Sequence, residues 1–471
     1  MRGVALLGAL ALALTGCSAL GPDYQRPAST LPAAYAQSAG SEAAAVEAAW
    51  WQRFNDPVLN ELVDQAVGGN FDLKAAVARV EEAEAALREA GAALTPSVDL
   101  SADSSRSRSS SKSATFNNAM PIYRTTHSLG LSTAFEVDFW GRLRRTREAA
   151  RAQALASRHA RDTARLSLAG MVANTYLGLR AADAQLAVSQ ETLASREASL
   201  KIVASRVDGG LASPLDLRQA EGALAAVRAQ LAGLRQQRAL AESQLALLTG
   251  NPALKVEMGD LRTLPLPPVP PAGLPSSLLE ARPDLRQAEE TLVASNARIG
   301  VAKAALYPTI SLTGGLGQES KDLSNLFSSG ARTWNLGLGL VLPVFDAGAN
   351  AARVDQASAR QQQALAAYQQ AVHTAFKEVN DALVGLRENA EAEDAQMARV
   401  TAAEQALAVA RARYEAGYSA YLDVLDAQRS LNDAQLAQVS ARQSRLVAAV
   451  DLFKALGGGW READSPAAAG Q

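Results

Sequence analysis

Few side chains in this chain are of the kinds that do chemistry, and their spacing limits what that chemistry can be. The 471 residues hold one cysteine, Cys17, and three histidines, His127, His159 and His373. A lone cysteine excludes a disulfide framework and a cysteine-rich metal site. Histidines this far apart have no metal-ligand spacing, and no nucleophile elbow or phosphate loop accompanies them, so an enzyme is not expected. The remaining constellation is acidic. Asp423 and Asp426, three positions apart, share one helix face, with Arg429 in reach of Asp426 on that face. Crowded carboxylates attract cations and repel one another, so they need a basic or hydrogen-bonding neighbour. They also suit the start of a helix, where negative charge is favoured by a few tenths to about 1 kcal/mol. Asp216 has equal claim to that role.

The setting of Cys17 points to acylation. Arg2 precedes an apolar run from Val4 to Leu14, too short to span a bilayer and of the length of a signal-peptide core. The stretch Leu14-Thr15-Gly16-Cys17 resembles the lipobox of bacterial lipoproteins, in which cleavage before the cysteine exposes it for covalent N-acyl and diacylglycerol lipid. The other reading is an ordinary signal peptide with a chance cysteine. Two or three acyl chains hold a protein stably at a membrane, where one is marginal. Ser18 stands where an aspartate would retain a lipoprotein at the inner membrane, so the outer membrane is the expected address. No other cofactor and no metal site is expected. A formal charge of -2 gives no electrostatic case for nucleic acid as a partner, and the serine-rich basic run at 104–112 reads as a solvated loop or lumen-facing strand.

The elements carrying these residues come twice. Phe71-Asp72-Leu73-Lys74 running to Ala92-Ala93-Leu94-Thr95-Pro96 recurs 212 positions later as Pro283-Asp284-Leu285-Arg286 running to Ala304-Ala305-Leu306-Tyr307-Pro308. Farther on the offset is 207: Arg206, Gly210, Leu215 and Asp216 match Arg413, Gly417, Leu422 and Asp423, so one hairpin loop is five residues longer in the first copy. Such a repeat points to architecture before chemistry, and one quasi-symmetric structural domain is expected. Within each copy the period changes. Leu129, Leu131, Thr133, Phe135 and Val137 alternate with small or polar residues, as do Trp334, Leu336, Leu338, Leu340 and Leu342; Val98, Leu100, Ala102 and Ile310, Leu312, Gly314, Leu316 supply the partner strands. A membrane barrel requires strands with apolar residues outward and every backbone group paired. A soluble sheet with one buried face shares the pattern. Four strands cannot close a barrel, since the smallest have about eight, so a barrel here requires several chains.

The rest reads as helix. Val58 to Ala93 is one alanine-rich helix, and Arg142 to Val207 is a helix roughly 100 Å long. Val172, Leu179, Leu186, Leu193, Leu200 and Val207 mark it every seven residues, and the stripe recurs at Val379, Leu386, Glu393, Val400, Leu407 and Tyr414. Glu393 is expected where this seam meets water, with a local loosening of the helix pair as the alternative. The return helix carries Leu217, Ala220, Leu224, Val227, Leu231 and Leu234, with Arg238 and Arg445 equivalent in the two copies. Heptads of this kind pair helices into coiled coils, and a plain coiled-coil lipoprotein would share them without explaining the hairpins. The expected organisation is a signal peptide at 1–16, a lipidated extended arm at 17–57, a first repeat at 58–260, a Pro-rich linker at 261–275, a second repeat at 276–460 and a disordered tail at 461–471.

Three stretches carry a family resemblance: Trp50-Trp51-Gln52-Arg53-Phe54-Asn55-Asp56-Pro57 followed by Asn70-Phe71-Asp72-Leu73; Ala281-Arg282-Pro283-Asp284-Leu285; and Tyr421-Leu422-Asp423-Val424-Leu425-Asp426-Ala427-Gln428-Arg429-Ser430-Leu431. In this order, with the lipobox and the duplication, the chain resembles the TolC and OprM family of outer-membrane efflux channels, in its lipoprotein (NodT-like) branch. The resemblance implies a mixed α and β membrane protein, a homotrimer whose twelve strands, four per chain, form one outer-membrane β-barrel continued by a long periplasmic α-helical coiled-coil barrel. It implies a channel taking drugs or other small molecules from an inner-membrane RND-type pump, through a periplasmic adaptor, to the exterior; an outlet for an ABC-driven protein secretion system is the alternative. It also implies a periplasmic gate. Asp423 and Asp426 match the acidic positions lining that constriction, Leu422 and Arg429 fall beside them, and Tyr414 is expected to meet Asp216. Where some relatives place an arginine after the glycine matching Gly417, this chain has Ser419.

Overall fold

The computed structural model describes residues 19–28, 31–32, 34–35, 47–113, 121–268, 270 and 275–460. Cys17, the signal segment and the tail at 461–471 lie outside them. In chain order come α1 (Pro57–Gly69), α2 (Phe71–Ala92), β1 (Ser97–Arg108), β2 (Tyr123–Val137), α3 (Arg142–Asp208), α4 (Pro214–Thr249), the single turn α5 (Leu278–Ala281), α6 (Pro283–Ala304), β3 (Thr309–Ser320), β4 (Arg332–Val341), α7 (Ala349–Glu415) and α8 (Tyr421–Ala455). The residues fall into two compact units, each drawing on both copies, rather than the single domain expected. The cause is strand pairing: β2 of the first copy bonds to β3 of the second.

The first unit, residues 1–27, 79–157 and 287–368, holds one antiparallel sheet in the order β1-β2-β3-β4. Register places Leu100 opposite Leu131, Leu131 opposite Leu316 and Leu316 opposite Trp334, so the apolar sets of all four strands share a face. Phe139, Trp140 and Tyr307 cluster below it, with ring centroids 4.9 and 4.7 Å apart, and the Trp140 indole donates to the Pro308 carbonyl at 2.8 Å. The arm is docked here in extended form. Leu20 N–H donates to the Trp140 carbonyl, Asn296 to the Pro22 carbonyl, and Arg26 makes two bonds of 2.6 and 2.8 Å to the buried Glu289 carboxylate. Gly21 holds φ +102° and lies so close to Gly300 that a Cβ on either would overlap the other strand of backbone.

The second unit, residues 28–78, 158–286 and 369–471, contains the main core. The arm is not extended throughout: Trp50–Phe54 forms a 3-10 turn whose Trp50 stacks on Phe453 at 5.5 Å. Trp50, Phe54, Leu59, Tyr176, Leu245 and Phe453 are almost wholly excluded from water, and a fully buried side chain of this size contributes roughly 1.5–3 kcal/mol. The helix expected over 58–93 is broken at Asn70, which bonds the Leu248 carbonyl through Nδ2 and caps α2 by accepting from Leu73 N–H, both at 3.0 Å. Gly69 makes the break possible, because a Cβ there would lie 2.2 Å from the Thr249 carbonyl oxygen.

Buried charges tie the long helices to the loops between copies. Asp183, 1% exposed, accepts from Arg238 at 2.6 Å, from Arg180 at 3.2 Å and from Gly259 N–H at 3.0 Å. Arg180 also bonds the Tyr176 hydroxyl and the Glu257 carbonyl, and Tyr176 donates to Asp56. Burial first, then the bond to Asp56, hold the Tyr176 phenol above its ordinary pKa. In the second copy Glu393 does not meet water as expected. It is 7% exposed and accepts from Arg442 at 3.1 Å and Arg445 at 2.9 Å. Two guanidiniums compensate its desolvation, and Arg442 also reaches the Leu264 carbonyl of the linker.

Candidate functional site

Two features of the fold bear on function. The first is the apolar sheet face. Trp334, Leu336, Leu338, Leu340, Leu316 and Leu100 are 64–81% exposed, a contiguous patch that water does not tolerate and that marks a membrane or protein contact. Among the described residues no helix is long and apolar enough to cross a membrane. β1 and β4 are open edges, with rows of backbone groups awaiting partners.

The second is the pair of tight turns joining each long helix to its return helix. α3 leads through Gly210 to α4, and α7 leads through Gly417 to α8. The backbones match: Leu211 N–H bonds the Arg206 carbonyl at 2.7 Å, and Tyr418 N–H bonds the Arg413 carbonyl at 2.8 Å. Gly210 and Gly417 hold φ +70° and +78°, the left-handed conformation that closes a helix, and neither position is crowded, so conformation alone demands glycine. Beneath the turns Val203, Ala220, Leu407, Tyr421 and Val424 form a small core in which four helices meet.

The side chains at the turns differ. Ser213 caps α4 by accepting from Leu215 N–H, while Asp216 accepts from Ser213 N–H at 3.2 Å, a reciprocal capping box. The equivalent positions are Ala420 and Asp423. Ala420 gives α8 no side-chain cap, and Asp423 stands exposed. Leu422, Asp426 and Arg429 are exposed with it, on the side of α8 opposite the buried stripe Tyr421, Val424, Gln428 and Asn432. Arg429 approaches Asp426 to 3.5 Å with both side chains more than half exposed, a contact worth about 0–1 kcal/mol. The expected meeting of Tyr414 with Asp216 is not formed within the chain. The Tyr414 ring lies under the Arg206 guanidinium at 4.7 Å and against Tyr421 at 5.6 Å, and its hydroxyl has no hydrogen-bond partner among the described residues. Asp216 is occupied by its own helix end.

Sequence reasoning missed what lies behind this acidic face. Arg196 and Gln428, both buried, bond at 2.7 Å between α3 and α8, and Gln428 also donates to Ser195 and Ser199. Burial holds the Arg196 pKa below its usual value and the Tyr421 phenol above its own. A cavity of about 460 Å³ lies alongside, lined by Ser195, Arg206, Arg411, Tyr414 and Tyr421 among others. Gln428 and Asn432 lie one position after the seam residues Ala427 and Leu431, so the heptad pattern itself gave no signal for them.

A four-stranded sheet with an exposed apolar face, paired long helices and twin turns are the features on which comparison with known proteins bears. The family model described as outer membrane efflux protein matches residues 62–251 and 274–458, and the chain belongs to that family. It is 36% identical over 464 residues to the cation efflux system protein CusC of Escherichia coli O6:H1, covering 96% of this chain and 98% of that one. It is equally identical, over 464 residues, to the antibiotic efflux pump outer membrane protein ArpC of Pseudomonas putida, covering 97% and 95%. Among solved structures, the CmeC outer membrane channel of Campylobacter jejuni superposes with a TM-score of 0.88 at 28% identity, covering 95% of this chain and 96% of that one.

Proposed function

We propose that three copies of this chain close a twelve-stranded barrel in the outer membrane, and that their paired helices form a conduit into the periplasm. Acting as the outer-membrane component of a tripartite efflux system, the trimer passes small molecules from an inner-membrane RND-type pump and a periplasmic adaptor to the exterior. The carrying observation is the sheet: four strands with two open edges and an exposed apolar face satisfy their backbone in lipid only by joining further copies. A closed ring requires a heterologous interface that returns on itself, and the duplication makes that ring nearly sixfold. The lipobox at Cys17 supports a covalent lipid anchor in the same membrane. Relatives of equal identity carry names that specify a cation in one case and antibiotics in another, so the resemblance assigns no substrate; the pump sets it.

The proposed gate lies at the turns. Three copies of Asp423 and Asp426 form stacked acidic rings that concentrate cations, with Leu422 beside them, Arg429 compensating Asp426, and Asp216 and Tyr414 holding the helix ends and their packing. Native mass spectrometry of the purified mature protein in detergent tests the assembly. A trimer carrying acyl mass on its N-terminal cysteine is expected; a water-soluble monomer would remove the basis of the channel.

A further inference from the structure

The exposed sheet face carries a second pattern above its apolar band. Its rows run from the apolar Val137, Ile310 and Leu340, through Leu100, Leu131, Leu316 and Trp334, to the mixed row of Ala102, Leu129, Gln318 and Arg332. That interval is about 27 Å along a strand and about 20 Å in height at the usual barrel tilt, close to the roughly 25 Å of apolar surface a membrane barrel needs. At and beyond its upper limit, the same face presents Arg332, then Arg106 opposite Thr125, then Arg108 opposite Tyr123. All three arginines are exposed, and none forms an ion pair among the described residues. Arg106 and Arg108 sit 5.6 and 5.9 Å from the Tyr123 ring centre, which orients them without neutralising them.

The strand acids all lie on the opposite face. Asp99, Asp103, Glu136 and Glu319 alternate with the apolar set, and the one arginine on their side, Arg124, approaches Glu319 at 3.9 Å. Cations therefore stand unpaired where the sheet leaves its apolar band, and anions stand where a lumen would be. Sheet order sharpens this. Arg106 and Arg108 lie on one edge strand, Arg332 on the other. In the trimer proposed above, on which this inference rests, β4 of one chain adjoins β1 of the next, bringing these arginines to a common seam. Like charges on adjoining strands repel, so the arrangement calls for a shared anion, and a planar guanidinium fork matches phosphate oxygens.

We infer that Arg106, Arg108 and Arg332 form three binding sites, one per subunit seam, for the phosphate groups of a phosphorylated glycolipid in the outer leaflet. Binding there would fix the height of the barrel and bridge neighbouring chains at the edge strands. The test uses the full mature trimer in nanodiscs and fluorescent lipid A as probe, with its phosphates intact or removed. Each basic group near an anionic lipid surface contributes roughly fivefold in affinity, so the triple variant R106Q/R108Q/R332Q is expected to bind phosphorylated lipid A about a hundredfold more weakly. It should match wild type on the dephosphorylated probe, and Arg124→Gln on the other face should match it on both. If the triple variant does not assemble, Arg332→Gln alone should show about a fivefold loss. Unchanged affinity in the variants, or a wild type indifferent to phosphate, overturns the inference while leaving the channel reading intact. A wild type that is monomeric by native mass spectrometry overturns both.

Discussion

The two helix turns share a backbone and differ in chemistry. Each closes on a left-handed glycine with the same hydrogen bond back to an arginine carbonyl. In the first copy, Ser213 and Asp216 spend their polar groups on the helix end, and Pro214 opens the helix. In the second, Ala420 and Tyr421 replace the serine and proline, the cap is lost, and the phenol drops into the core at 2% exposure. Asp423 is then free to face whatever lies before it. The first turn thus carries a reciprocal capping box and the second carries none, although the backbones of the two turns match.

The largest effect is expected where both copies depend on the same device. Asp183 and Glu393 each neutralise arginines of the return helix, Arg238 in one copy and Arg442 and Arg445 in the other. Removing one partner of such a buried pair costs about 3–5 kcal/mol. Asp183→Ala and Glu393→Ala should each lower the unfolding free energy measured by chemical denaturation by that amount, and a change below about 1 kcal/mol would show that water already screens the charges.

A cap exchange follows. Ser213→Ala should destabilise by about 1 kcal/mol, whereas Ala420→Ser should stabilise by up to about 1 kcal/mol and draw Asp423 into a capping box. Equal responses in the two copies would break the comparison. Alkaline stability gives a smaller, signed effect. Burial raises the folded Tyr421 pKa above 10.0, so near that pH the unfolded chain loses a proton that the folded chain keeps. Its contribution is therefore complete below that range and falls as pH rises through it. Tyr421→Phe should retain more stability than wild type between pH 9 and 11 in thermal melts. Arg429→Gln is expected to shift stability by about 0.5 kcal/mol or less, because its partner Asp426 is well exposed.

Much of the architecture was legible in the sequence because it is periodic. Alternation in the strands fixed which face is apolar, and the offset of 207 paired the turns correctly. The misreadings fall where a residue's role depends on a distant partner. Glu393 interrupts an apolar stripe, and nothing local shows that Arg442 and Arg445 come to it from another helix. Asn70 looks helical until the Leu248 carbonyl claims its amide. Asp216 and Asp423 look equivalent until the residues three positions before them, Ser213 and Ala420, are compared in place. That last contrast was present in the sequence, and capping rules alone would have found it.

Single-channel recording in planar bilayers tests the division of labour between the turns most directly. Asp423→Ala with Asp426→Ala should raise resting conductance and reduce cation selectivity, while Asp216→Ala, despite losing about 1 kcal/mol of helix capping, should leave both as in wild type. If the double variant conducts like wild type, or if Asp216→Ala changes selectivity as strongly, the carboxylates of the second copy are not the gate.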